Sequence, residues 1–178
     1  NMMNNILGGT FTSRINMNIR EEKHWSYGAR SMLIDARGQR PFIAYAPVQG
    51  DKTKETVQEI YRELKEILGA RPATQEELDK IQKNEILGLP GTWETIGAVG
   101  GSLADIVTYG LPDTYFKSYP DKVRGLKLGD ISSAAAKTLH PDQLVWIVVG
   151  DRAKVEPTLK ELGWGEIRVI DVDGHPVQ

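Results

Sequence analysis

Cysteine is absent from all 178 residues, which removes disulfides, thiolate metal sites and cysteine nucleophiles together. It leaves the compartment open, since secreted and cytosolic proteins alike manage without it. Histidine is scarce: His24, His140 and His175 stand far apart. None belongs to a His-x-x-Glu-His or His-Glu-x-x-His pair, whereas zinc takes ligands about one helical turn apart plus a further one. They read as surface residues, and no metal site is expected in this chain. There is no Gly-x-Ser-x-Gly elbow for a serine nucleophile. Basic excess is missing too. Lys and Arg total 22 against 24 Asp and Glu and alternate with them, so no stripe for nucleic acid forms. The longest purely apolar run, residues 144–149, falls far short of the roughly 20 needed to cross a bilayer. The first five residues lack the charged and apolar regions of a signal peptide. The apolar pattern is already running at Met2, Met3, Ile6 and Leu7, as if a helix were entered midway, so the expectation is a piece of a longer polypeptide.

What is present fits one ordinary globular domain spanning residues 1–178, with 40% apolar and 26% charged residues. Gly8-Gly9 breaks the first helical turns, and Thr10 or Thr12 is placed to cap a second helix. Phe11, Ile15 and Ile19 recur every four residues along that helix, to about Lys23. Residues 27–35 and 41–49 read as two antiparallel strands joined at Arg37-Gly38-Gln39. Val57, Ile60, Tyr61, Leu64, Ile67 and Leu68 form the apolar stripe of a helix over 53–68, stopped by Gly69. Thr74-Gln75-Glu76-Glu77 is a capping box opening a helix expected to end near Leu87, before Gly88 and Pro90. Further helices are expected over 92–108, 112–123, from Asp130, and over 154–162. The run 144–149 reads as a central buried strand, and 166–172 as a last strand before the Asp173-Gly174 turn.

This order predicts an α+β fold, a mostly antiparallel sheet with helices packed on one face. Gly97-Ala98-Val99-Gly100-Gly101-Ser102 lacks the Lys of a phosphate loop and follows no strand, so close helix–helix packing through small residues is expected there. Glu21-Glu22 and Glu76-Glu77 read as solvated faces. Trp93 and Trp146 are expected in the core, and Tyr109, Tyr115, Phe116 and Tyr119 in packing.

One stretch carries more. Leu7-Gly8-Gly9-Thr10-Phe11-Thr12-Ser13-Arg14-Ile15-Asn16-Met17-Asn18-Ile19-Arg20-Glu21-Glu22-Lys23, followed by Trp25-Ser26-Tyr27-Gly28-Ala29-Arg30-Ser31, resembles the insulinase/pitrilysin zinc peptidases. The likeness is to their second, non-catalytic homologous domain, with its Leu-Gly-Gly break, Ser-Arg-Leu-type helix and Arg-Glu-x-Lys-Gly-x-x-Tyr sequence. Asp51-Lys52-Thr53, Thr74-x-x-Glu77-Leu78 and Val148-Val149-Gly150-Asp151 agree in order further on.

The resemblance implies a domain that pairs with a zinc-bearing domain or subunit of the same family and closes over a peptide substrate. The family strand that precedes the first helix is missing here, which implies an N-terminally truncated domain with an open sheet edge that recruits another chain. Zinc would reside in the catalytic partner; this chain lacks the inverted His-x-x-Glu-His motif and is expected to be inactive alone. The second domain instead supplies an Arg and a Tyr seven positions apart, matched by Arg20 and Tyr27. The Arg would hold a substrate carbonyl by a forked contact, and the Tyr hydroxyl would donate to the oxyanion. Without the resemblance, Arg20 is a helix-end charge and Tyr27 a packed strand residue. The family usually has Gly where His24 stands, which bears on the aim of Tyr27. Two other roles fit a domain of this kind: a structural or assembly subunit related to respiratory-complex core or processing-peptidase subunits, and a peptide-binding module. Exported bacterial relatives favour the periplasm over the cytoplasm.

Overall fold

The computed structural model describes residues 1–177. The chain begins in α1 (Met2–Asn4), which widens into a π turn over Asn5–Gly9. Then α2 (Arg14–Asn16) widens in the same way over Met17–Glu22. The helix start is one step later than Thr10 or Thr12: Ser13 has the extended N-cap backbone, and its hydroxyl donates to Thr10 O at 2.6 Å. Phe11 therefore lies before the helix, off the Ile15/Ile19 stripe, and is 62% exposed.

Strands β1 (Arg30–Leu33) and β2 (Phe42–Tyr45) pair antiparallel, with Arg30 opposite Tyr45 and Leu33 opposite Phe42. The expected hairpin is present in its central four pairs. A Cβ on Gly8 would sit 2.5 Å from Ser31 N, so only glycine allows the first helix to lie this close to β1. Buried Asn4 completes that contact: Ser31 Oγ donates to its Oδ1 at 2.8 Å, and its Nδ2 donates to Ser31 O at 3.1 Å.

The long amphipathic helix is α3 (Thr53–Glu66), and α4 (Gln75–Thr92) opens on the expected capping box, Thr74 with Glu77. α4 runs through Gly88 and Pro90. Both lie in its final exposed turn, where a lost backbone bond costs little, and Thr92 Oγ1 reaches Gly88 O at 3.4 Å. Around these pack α6 (Tyr115–Gly125), α7 (Leu128–Thr138) and α8 (Arg152–Lys160), while α5 (Ile96–Tyr109) follows α4 and buries no residue. Asp130 serves the start of α7 from its third turn position, accepting from Lys127 N at 2.8 Å. Leu7, Ile15, Ile19, Leu64 and Leu78 are the largest fully buried apolar side chains, so the core lies where α1, α2, α3 and α4 meet under the hairpin.

Three expectations need correction. The small-residue contact at 97–102 is not formed: α5 buries none of its residues, and Gly100 and Gly101 face open space. Trp93 is half-buried, its indole N–H donating to Ser102 Oγ at 2.9 Å and its ring edge-on to Phe116. The third concerns the sheet. Among the described residues it holds β1 and β2 alone, so the fold is helix-rich α+β rather than sheet-dominated. Residues 144–149 form no strand, and 166–172 contribute only the bridge Ile170 to Pro176. A strand exists only as a member of a ladder, and no neighbouring segment supplies one here.

Arg14, within the Thr-Ser-Arg stretch, is the main tie between the first quarter and α4. Its Nε and Nη2 both reach the Glu77 carboxylate at 2.7 Å, Nη2 also donates to Pro72 O at 2.9 Å, and Nη1 donates to Arg71 O. Burial pushes the Glu77 carboxyl up, but the Arg14 fork and the Thr74 amide outweigh it and hold the group below its ordinary value of 4.5. A depressed folded value means stability that is complete above the ordinary value and is lost as pH falls through the folded one. Thermal melts should therefore show Tm falling on acidification below pH 4.5. Glu77→Gln should melt lower at neutral pH and lose less on acidification; parallel curves for the two proteins would remove Glu77 from the acid response.

Candidate functional site

Arg20 and Tyr27 flank one tight exit from α2. The π turn over Met17–Glu22 carries Arg20. It closes through Lys23 N to Asn18 O, His24 N to Arg20 O and Trp25 N to Ile19 O, all at 3.1 Å. His24 sits in the left-handed region with φ 57°, the conformation glycine adopts without cost. This explains the family preference at that position. The backbone takes the glycine conformation with His in place, so the exit from the helix is kept.

The following loop is tied down from below. Buried Asn16 donates to Phe11 O at 2.6 Å and accepts from Ala29 N at 3.0 Å, joining the segment before α2 to the start of β1. Ser26 Oγ donates to Pro47 O at 2.5 Å and accepts from Gly28 N at 3.0 Å, while Gln49 N donates to Trp25 O. At the apex of this pinned loop Tyr27 is 100% exposed. The packed-strand reading of Tyr27 fails, because its ring touches no core.

Arg20 is about one-third exposed, and its guanidinium carbon lies 4.4 Å from the centroid of the Phe11 ring. Glu21 is a loose neighbour, 3.4 Å from Nε. Stacking on an aromatic face limits the side chain's rotamers and leaves the edge N–H groups free for a carbonyl or carboxylate. Phe11 thus has a role that helical periodicity misassigned to the core. Its exposure just before α2, nine positions ahead of Arg20, is visible only in the structure.

The same turn is anchored to α3. Asn18 Nδ2 donates to Glu59 Oε2 at 2.8 Å and to the buried Glu63 Oε1 at 2.9 Å, and Arg71 pairs with the other Glu63 oxygen. Tyr27 faces solvent, and Arg20 is partly exposed beside Phe11. Two surface hollows, about 520 Å³ along Glu76–Asn84 of α4 and about 350 Å³ beside β1, include neither residue.

The histidines do not assemble. His24 and His140 are exposed at separate turns, and His175 lies in the C-terminal hairpin near Asp171 and Asp173, where all three side chains are exposed. One carboxylate oxygen of the three is committed to the turn: Asp171 Oδ1 accepts from Asp173 N and His175 N. No helix of the described residues is long and apolar enough to cross a membrane.

Replacing His24 by Gly trades left-handed strain of about 1–2 kcal/mol against an added unfolded-chain entropy of about 0.5–1 kcal/mol. The His24→Gly variant should be as stable as the parent or gain up to about 1 kcal/mol in chemical denaturation. A clear loss would mean that the imidazole makes a contact absent from this structure.

Comparison with known proteins bears directly on this face. Residues 1–85 match the family model of the peptidase M16 inactive domain. The resemblance read from residues 7–31 is borne out by this match, which takes in Arg20 and Tyr27. Among solved structures, the peptidase M16 inactive domain from Pseudomonas fluorescens superposes with a TM-score of 0.71 at 24% identity, covering 80% of this chain and 34% of that one. A protease from Helicobacter pylori gives 0.65 at 22% identity, covering 76% and 32%. A protein assigned as a zinc protease from Bordetella pertussis Tohama I gives 0.62 at 23% identity, covering 76% and 74%. The fold is shared with all three, and this chain spans about a third of the length of the first two. No curated protein matches it.

Proposed function

We propose that this chain is the non-catalytic half of a zinc metallopeptidase, closing over a peptide opposite a separate zinc-bearing domain or subunit of the same family. Arg20 grips a substrate carbonyl and Tyr27 donates to the oxyanion formed at the partner's zinc. The observation that carries the reading is Tyr27, fully exposed and unpartnered at the apex of a loop held by Asn16 and Ser26. A phenol on a loop whose backbone is held, yet facing only solvent, suits a surface completed by another body. Arg20, stacked on Phe11 and only partly exposed, suits the same view, since a side chain held on an aromatic face is ready for a ligand.

On this reading residues 1–178 act as one domain and hold no zinc of their own. The isolated chain should cleave no peptide and, after zinc loading and desalting, retain no stoichiometric zinc by elemental analysis. Addition of a zinc-bearing partner of the family should produce peptidase activity that neither part shows alone. One tightly held zinc per chain, or cleavage by the chain alone, would overturn the assignment.

A further inference from the structure

Phe11 is an exposed aromatic residue on a firmly tied backbone. It stands in a turn closed by Ser13 N donating to Thr10 O at 3.2 Å, and Thr10 Oγ1 ties that turn to Asn5 O at 3.1 Å. The Phe11 carbonyl itself accepts from Asn16 Nδ2 at 2.6 Å. Asn16 is 4% exposed, and its Oδ1 accepts from Ala29 N, just past Tyr27. One buried amide thus fixes Phe11 relative to the loop that carries Tyr27. None of this buries the ring, which is 62% exposed and lies outside the apolar cluster of the core. Apolar surface left in water contributes nothing to folding. The neighbour that accounts for the ring is the Arg20 guanidinium, 4.4 Å from its centroid. Arg20 has little else to hold it, since its ionic neighbour Glu21 is a loose 3.4 Å from Nε.

We infer that Phe11 is a positioning residue for Arg20, a platform that holds the guanidinium ready for a substrate carbonyl without touching the peptide itself. The inference rests on the role proposed for Arg20 and extends it to a side chain with no polar group of its own. Ordering a long side chain when a ligand binds costs affinity, and ordering it beforehand removes that cost. A ring face attracts the cation without using a hydrogen-bond donor, so the N–H groups of Arg20 stay available for oxygen. Tyr27 is fully exposed and gains nothing from the ring. Phe11 should therefore act on substrate binding and leave the oxyanion step alone.

With the zinc-bearing partner supplied, Phe11→Leu should raise KM about 2–10-fold, the cost of ordering one long side chain on binding. Its kcat and Tm should stay close to the parent's. Phe11→Tyr should restore the parent KM, because it returns the aromatic face. In an Arg20→Ala background Phe11→Leu should add nothing further. The isolated chain gives a reading that needs no partner. Its Arg20 Nε–H proton signal should lie upfield, shifted by the ring current of Phe11, and should move downfield in Phe11→Leu. An unmoved signal would overturn the inference, as would an unchanged KM in Phe11→Leu where Arg20→Ala raises it; the role of Arg20 would then stand without its platform. An equal rise in KM in both backgrounds would also overturn it, since Phe11 would then meet the peptide directly. An unchanged KM in Arg20→Ala would instead remove the role of Arg20, and the purpose of the platform with it.

Discussion

Reconstituted with a zinc-bearing partner, Tyr27→Phe should turn over peptide about 10²–10³-fold more slowly, the usual loss on removing one oxyanion donor. KM should change little, because the hydroxyl gains strength only as negative charge develops on the substrate oxygen. Arg20 acts earlier. A permanently charged fork holding a substrate carbonyl contributes to ground-state binding, so Arg20→Ala should raise KM as well as lower kcat/KM. Arg20→Lys should behave more like Ala than like Arg, since a single ammonium cannot make the forked contact. The structure separates this outcome from simple unfolding. Tyr27 touches nothing that folding needs, and Arg20 loses only an exposed stacking contact on Phe11, of about 0.5–1 kcal/mol. Thermal melts of both variants should therefore track the parent. Near-normal turnover in both, or activity that falls only in step with Tm, would return the two residues to structural roles.

How far these roles could be read from the sequence depends on the range over which each signal acts. The capping box at Thr74 and Glu77 is complete within four residues, and the structure has it as written. The hairpin is equally local, and its pairing follows from two apolar runs and a short turn. The Arg20-to-Tyr27 spacing is legible as a motif, but Tyr27's exposure is not, because a β-prone residue beside a strand can face either way. Interactions that close over long separations leave no local trace. The fork from Arg14 to Glu77 joins residues 63 apart, so Arg14 carries no sequence mark of being a clamp. The run 144–149 misleads for another reason. Its composition reports that it suits a buried strand, whereas burial also needs flanking strands, and the described residues provide none. In α5, glycine and alanine signal close approach only if a partner helix arrives.

The largest stability effect is expected where the Arg20 turn is anchored. Glu63 is 1% exposed, and its carboxylate is held by Asn18 Nδ2 from the π turn and by Arg71 from beyond α3. A buried carboxylate keeps its charge only while its partners compensate for lost water. In Arg71→Ala the cation is gone, and Glu63 keeps a single neutral donor. Removing one member of a buried pair commonly costs about 3–5 kcal/mol. Arg71 is 49% exposed, so solvent already screens its side of the pair and water can enter after truncation. The expected loss is therefore lower, about 1–3 kcal/mol, in the range for an unsatisfied buried polar group. Adding Glu63→Gln to Arg71→Ala should recover part of it, because a neutral amide carries no charge that must be compensated. Because Asn18 Nδ2 meets the same carboxylate, the damage should spread to the turn that carries Arg20. Hydrogen exchange of residues 17–25 should accelerate in the single variant and return toward the parent rate in the double. Equal stability of the two variants, or unchanged exchange in the turn, would show that Glu63 is balanced by water rather than by Arg71 and that the Arg20 turn is held by the backbone bonds to Asn18, Ile19 and Arg20 alone.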